Sequence, residues 1–234
     1  MNKVFVSWSG GKDSCLSYYK ALENGLEVSC LVNITNQDGK YSCTHGLPTS
    51  FLQAQAHSIG VPIIQLRTNG EKYESDLKKL CCDFREQGIS GAVFGNGDVE
   101  HSWIGRVCQE VNVTPYFPLD DLNKDEIIKQ LVDLGFEAIT VTVRADVFGK
   151  QWLGRKIDRG FLEQINSLSD VMNLSPNKKA GIYHTTIIDG PIFKNRMEII
   201  KSEALLKDGY WFLQIMETVE IPSISNSTSV NQCL

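Results

Sequence analysis

No apolar run in the 234 residues approaches the length of a membrane span, so a membrane-crossing helix is not expected. Met1 leads straight into a strand-like stretch rather than a signal peptide, and a cytoplasmic location is the expectation. Positive charge is in short supply: 23 Lys and Arg stand against 28 Asp and Glu, a formal net charge of -5. That balance argues against a protein whose main work is coating nucleic acid, and no stable nucleic-acid binding is expected. The seven cysteines include no CxxC pair, which disfavours a structural zinc site. An odd count without a secretory leader reads as reduced thiols packed as small hydrophobes. No nucleophilic triad stands out.

What is present is ordinary in bulk, with 42% hydrophobic and 22% charged residues, and long enough for one large domain or two small ones. In the first half, strands at Val4–Ser7, Glu27–Asn33, Val61–Leu66 and Ala92–Gly95 alternate with helices at Cys15–Glu23, Thr49–Ser58, Glu74–Gln87 and Trp103–Val111. This rhythm predicts an α/β fold, an open parallel sheet with helices on both faces. Around Pro115–Asn123 the rhythm breaks, which reads as a crossing between lobes. A helix at Lys124–Leu134 and strands at Ala138–Val143, Tyr183–Ile188, Met197–Leu206 and Tyr210–Val219 then describe a smaller α+β lobe. The expected division is 1–121, 122–221 and a polar tail, 222–234, expected to be disordered.

The first strand ends in Ser9-Gly10-Gly11-Lys12-Asp13-Ser14 and runs into a helix. In an open parallel sheet, ligands bind beyond the carboxyl ends of strands. Gly10 and Gly11 permit positive φ and close backbone approach, so successive N–H groups can turn toward one anion. The helix start adds its dipole, Ser9 and Ser14 offer hydroxyls, Lys12 supplies a cation and Asp13 suits a magnesium ion. A Walker loop fails on spacing: Val6 stands where its first glycine belongs, and Asp13 where Ser or Thr should follow the lysine. The dinucleotide fingerprint GxGxxG fails as well.

SGGKDS after an N-terminal strand resembles the pyrophosphate loop of the N-type ATP pyrophosphatases, which implies an adenine nucleotide alpha hydrolase-like fold. The resemblance implies that Ser9, Gly10, Gly11, Asp13 and Ser14 hold ATP phosphates while Lys12 neutralises charge, with Val32 and Asn33 lying against adenine. Phe94–Leu119, Gly135–Ala145, Trp152–Asp158 and His184–Phe193 stand in the right order to resemble the diphthine–ammonia ligase family over most of residues 1–215. That family adenylates the diphthine carboxylate of elongation factor 2 and lets ammonia displace AMP. ATP and Mg2+ are then the implied cofactors, ammonia and elongation factor 2 the implied partners, and a homodimer is left open. Lys12, Asp13 and Asp98 are the implied catalytic residues, with Asp13 the metal contact.

Glu100, His101, Arg155, Asp158, His184 and Thr185 are implied on the substrate side. Each has a plainer alternative. Asp98 and Glu100 also suit solvated loop positions, and His101 a loop histidine. Arg155 and Asp158 could pair to fix a turn, and alternation along a strand sends one of His184 and Thr185 inward. One stretch departs from the family. Where it carries a GE-x-GE pattern, this chain reads SPNKKAGIYHT, with Lys178 and Lys179 and neither glutamate. A different carboxylate, a tRNA substrate or a non-catalytic ATP-binding role are the alternatives.

Overall fold

The computed structural model of the protein describes residues 2–95, 101–171 and 181–223, with side chains described at all of these but 101, 102 and 169–171. The chain forms two compact units. The first comprises Met1–Ser9, Asp13–Thr44 and Pro48–Leu122; the second comprises Gly10–Lys12, His45–Leu47 and Asn123–Leu234.

In the first unit, strands β1 (Lys3–Ser7), β2 (Glu27–Thr35), β3 (Ile63–Arg67), β4 (Gly91–Val93) and β5 (Thr114–Tyr116) form a parallel sheet in the order β3-β2-β1-β4-β5. Helices α1 (Lys12–Glu23), α2 (Thr49–Ile59), α3 (Tyr73–Glu86) and α4 (His101–Glu110) connect them. Both faces of β1 are buried, as a helix-covered parallel strand requires. Phe5 joins Leu77, Leu80, Cys81 and Phe84 of α3 and Ile104, Val107 and Cys108 of α4 in one apolar cluster. Val4 and Val6, which alternate with Phe5, are 0% exposed. Each large side chain buried this way contributes about 1.5–3 kcal/mol.

The chain steps from β1 outward to β3 and then returns to β4 on the other side of β1. The direction of winding therefore reverses between β1 and β4, the place where such sheets open a crevice for ligands. Strand β5 was not expected, because Pro115 cannot donate a ladder hydrogen bond. It forms at the sheet edge, where Thr114 donates its N–H to Ser90 (2.9 Å) and the Tyr116 carbonyl accepts from Phe94 (2.9 Å), so Pro115 is asked for no N–H.

In the second unit, β6 (Glu137–Arg144), β7 (Tyr183–Asp189), β8 (Asn195–Lys207) and β9 (Tyr210–Pro222) form a sheet ordered β7-β6-β9-β8, all pairs antiparallel. The β8–β9 hairpin turns through Asp208 and Gly209, both at positive φ (49° and 79°), the conformation for which Asp-Gly is suited. Helix α5 (Lys124–Asp133) opens on a capping box. Asn123 accepts from the Glu126 N–H, and Glu126 accepts from the Asn123 N–H. Helix α6 (Arg159–Val171) packs against α5 and was not assigned from sequence. Among the described residues no helix is long and apolar enough to cross a membrane. Cys15, Cys30, Cys81 and Cys108 are buried free thiols, while Cys43 and Cys82 are exposed.

Candidate active site

The glycine loop leaves β1 at the reversal point of the first sheet. Trp8 continues the strand by donating its N–H to the Val32 carbonyl (2.7 Å), and its indole donates to the buried Gln55 of α2 (3.0 Å). Trp8, two residues before the first glycine, is thereby fixed at backbone and side chain. Helix α1 starts at Lys12, three residues earlier than expected, so Asp13 and Ser14 lie in its first turn. The dipole of a helix start favours an anion there. The Ser9 and Ser14 hydroxyls lie 3.2 Å apart and bond one another. Gly95, just past β4, faces the same turn: a Cβ on it would stand 3.5 Å from the Asp13 Cβ and 3.5 Å from the Ser14 nitrogen.

Val32 and Asn33 are buried (2% and 1% exposed). Val32 belongs to the apolar cluster, so beyond packing it offers the loop its carbonyl. Asn33 ties two strand ends together, donating to the Trp8 carbonyl (2.8 Å) and to the Ser42 hydroxyl (3.1 Å). The Trp8 carbonyl can only accept, which fixes the orientation of the amide, and Asn33 Oδ1 is buried without a partner among the described residues.

In the second unit, residues Gly10–Lys12 run along the outer edge of β7. Gly10 has φ +78°. Its carbonyl accepts from the Ile187 N–H (3.0 Å) and from the Thr186 hydroxyl (2.9 Å). The Lys12 N–H donates to Thr185 Oγ1 at 3.2 Å. Gly11 is hemmed in: a Cβ there would lie 2.5 Å from His45 Cε1 and 2.8 Å from the Thr185 carbonyl oxygen. The His45 ring packs on that of His184 with centroids 4.9 Å apart. The His45 carbonyl accepts from Thr142 Oγ1 (3.4 Å). Along β7 the alternation resolves as Thr185 inward (2% exposed) and His184 half-buried.

Arg155 and Asp158 do not pair with each other. Asp158 accepts from the Phe161 N–H (2.7 Å) at the start of α6. Arg155 lies over the Trp152 ring, 4.1 Å from its centroid, and donates to Gln164 (2.9 Å). Trp152 itself packs on Phe148 and Phe161. Asp98 and Glu100 lie outside the described residues, as do Lys178 and Lys179, and His101 opens α4 with its side chain undescribed. His45 and Thr186 are the neighbours that sequence reading missed. The only signal for them is a His-Gly pair in a polar loop, and a second threonine beside Thr185.

Among the described residues no three His, Cys, Asp or Glu side chains cluster as a metal cage. The half-buried Asp13 carboxylate fits a magnesium ion of the kind that uses one or two carboxylates plus substrate phosphates.

The family description "Diphthamide synthase N-terminal domain" matches residues 2–115, and "Diphthamide synthase C-terminal domain" matches residues 123–221. The chain is similar to proteins named diphthine–ammonia ligase. It is 23% identical to that of Rattus norvegicus over 237 residues, covering 87% of this chain and 85% of that protein. It is also 23% identical to that of Homo sapiens, with the same coverage. That of Schizosaccharomyces pombe is 22% identical, and the match spans 37% of its length. With a phosphate-type loop at the sheet's reversal point and both descriptions matched in order, the chain belongs to the diphthamide synthase family.

Proposed function

We propose that the protein is an ATP-dependent, AMP-forming amide ligase, with diphthine on elongation factor 2 as its acceptor and ammonia as its nitrogen donor. The observation that carries this reading is the SGGKDS loop, held between β1 and α1, in a chain matched by both halves of the family. A carboxylate is a poor acyl donor to ammonia. Attack of its oxygen on the α-phosphorus of ATP expels pyrophosphate and leaves an acyl-adenylate. Ammonia then adds to the activated carbonyl and AMP departs.

No side-chain nucleophile is needed, so the protein's part is positioning and charge compensation. In this reading the first-turn N–H groups of α1 with Ser9 and Ser14 bind the phosphates, and Lys12 neutralises them. Asp13 would hold magnesium, which when bound supplies further charge neutralisation on the phosphates. Asp98 is assigned to catalysis, to bind magnesium or orient the acceptor. Glu100, His101, Arg155, Asp158, His184 and Thr185 make up the acceptor side. Arg155, stacked on Trp152, is a preorganised cation.

The test is release of pyrophosphate and AMP from ATP and magnesium, with ammonium and diphthine-bearing elongation factor 2 added or withheld, beside Asp13→Ala. Release that requires the elongation factor and is lost in D13A is the expected result. ADP as the product sinks the adenylation reading. AMP formation indifferent to the elongation factor sinks diphthine and leaves another carboxylate.

A further inference from the structure

Strand β8 stands at the outer edge of the second sheet, with β9 as its neighbour on one side only. It runs for 13 residues without a proline or a glycine, and on its outer side alternate backbone N–H and C=O groups have no strand to meet. Every residue from Ile200 to Lys207 is exposed. Among the described residues, five of the eight strongly exposed large apolar side chains lie on the β8–β9 hairpin: Ile200, Leu205, Leu206, Met216 and Val219. A long edge of this kind is a template for another strand. Lysine on an edge is a usual guard against such pairing, and β8 has Lys201 and Lys207. Its charges nevertheless alternate in sign along the strand, through Glu198, Lys201, Glu203 and Lys207. The register of β8 on β9 shifts at Lys201 and is recovered at Ser202, so the alternation of side chains stays in phase on both sides.

We propose that the edge of β8 pairs antiparallel with β8 of a second copy of this chain, around a two-fold axis at Ser202. Such an axis passes midway between two residues that stand directly opposite, so one residue must face its own copy. With Ser202 in that place, Lys201 faces the partner's Glu203 and Glu203 faces the partner's Lys201. On the same face Ile199 meets the partner's Leu205, and on the other face Ile200 meets the partner's Ala204, each of them twice by symmetry. Moving the axis one residue either way sets Lys201 or Glu203 against its own copy, which is destabilising. An axis at Ala204 sets Lys201 against the partner's Lys207. An axis at Leu205 pairs Glu203 with the partner's Lys207 but leaves Ile199 and Ile200 with nothing opposite on β8. The edge charges thus select a copy of the same strand, where a strand of unrelated sequence leaves them unmatched.

The experiment is sedimentation equilibrium of the full chain, from low micromolar to near-millimolar protein. Wild type is run beside Lys201→Glu, Glu203→Lys and the double reversal K201E/E203K. Wild type should pass from the mass of one chain to that of two. Each single reversal sets like charges face to face twice across the axis and should weaken the dimer by about tenfold or more. The double reversal brings opposite charges together again and should restore it. An equimolar mixture of K201E and E203K should associate more tightly than either variant alone, for the same reason. Both positions are exposed, so thermal midpoints should match wild type and separate lost association from lost folding. Wild type that remains a single chain at the highest concentration overturns the proposal. A dimer indifferent to both single reversals lies on another surface and overturns it too, as does a double reversal no tighter than the singles.

Discussion

Replacing Gly11 with alanine tests the packing around the loop without touching a charged group. The φ of Gly11 is not in the left-handed region, so the substitution carries no backbone penalty of that kind, and its cost comes from contact alone. The new Cβ would meet His45 Cε1 at 2.5 Å and the Thr185 carbonyl oxygen at 2.8 Å. An imidazole can swing aside, at the cost of its packing on His184. The carbonyl cannot do so independently, because it belongs to a buried strand paired with β6. It stands 0.6 Å inside the 3.4 Å at which ordinary contact begins. Overpacking of this sort costs roughly 1–3 kcal/mol. For a chain of this size the thermal midpoint should then fall by roughly 2–12 °C.

Gly105 in α4 is the internal control. A Cβ there meets nothing within 4 Å, and alanine in a helix is favoured over glycine by about 0.5–1 kcal/mol, so G105A should raise the midpoint by about 1–4 °C. In the double variant Gly11→Ala/His45→Ala, the imidazole contact is gone and the Thr185 contact remains. It should stay less stable than His45→Ala alone. Thermal and urea unfolding of the wild type and the four variants in one buffer decide the matter. G11A at or above the wild-type midpoint, or G105A falling as far as G11A, refutes the reasoning.

Burial by itself would raise the Glu137 carboxyl, but hydrogen bonds and charge from Lys156 and Arg196 outweigh it and hold the group below its ordinary range. A depressed carboxyl stabilises the fold above its unfolded pKa of about 4.3 and loses that effect as pH falls through the folded value. Glu137→Gln should therefore destabilise at pH 7 and approach wild type by about pH 3, read by urea unfolding across pH; a constant gap between the two proteins would contradict this. Timed alkylation at pH 8 with peptide mapping should mark the exposed Cys43 and Cys82 before the buried thiols. Burial pushes Cys30 up to about 11 and raises Cys15, while a hydrogen bond with Cys108, then burial, raises Cys81. Equally fast labelling of Cys81 would show that α3 and α4 open readily. Asn123→Ala removes half of the α5 capping box and should cost about 0.5–2 kcal/mol in denaturant unfolding, with Asn123→Ser losing much less.

The glycine loop was legible because its residue types are awkward for any plainer role. Two glycines, a lysine and an aspartate at a strand–helix join have few uses besides an anion. The parallel sheet was legible from alternation, and its missing strand was hidden by Pro115, whose usual meaning is overridden at an edge. Helix α6 escaped because the stretch from Leu153 to Ile165 has the turn-forming Gly154 and Gly160 at its start. Thr186 and His45 could not be read from the sequence. Their roles depend on which strand edge meets Gly10, a pairing set by long-range topology rather than by any local pattern.

That long span also bears on how the protein is made. Gly10 emerges from the ribosome early, whereas Thr186 and Ile187 follow some 176 residues later. At about 5–20 residues per second the motif waits roughly 10–35 seconds for the donors that orient it. A nascent chain stalled before β7 would carry the whole SGGKDS signature with its central peptide unset. Anchoring of the loop to β7 is thus a feature that arrives only near the end of translation, well after the first sheet has all its strands.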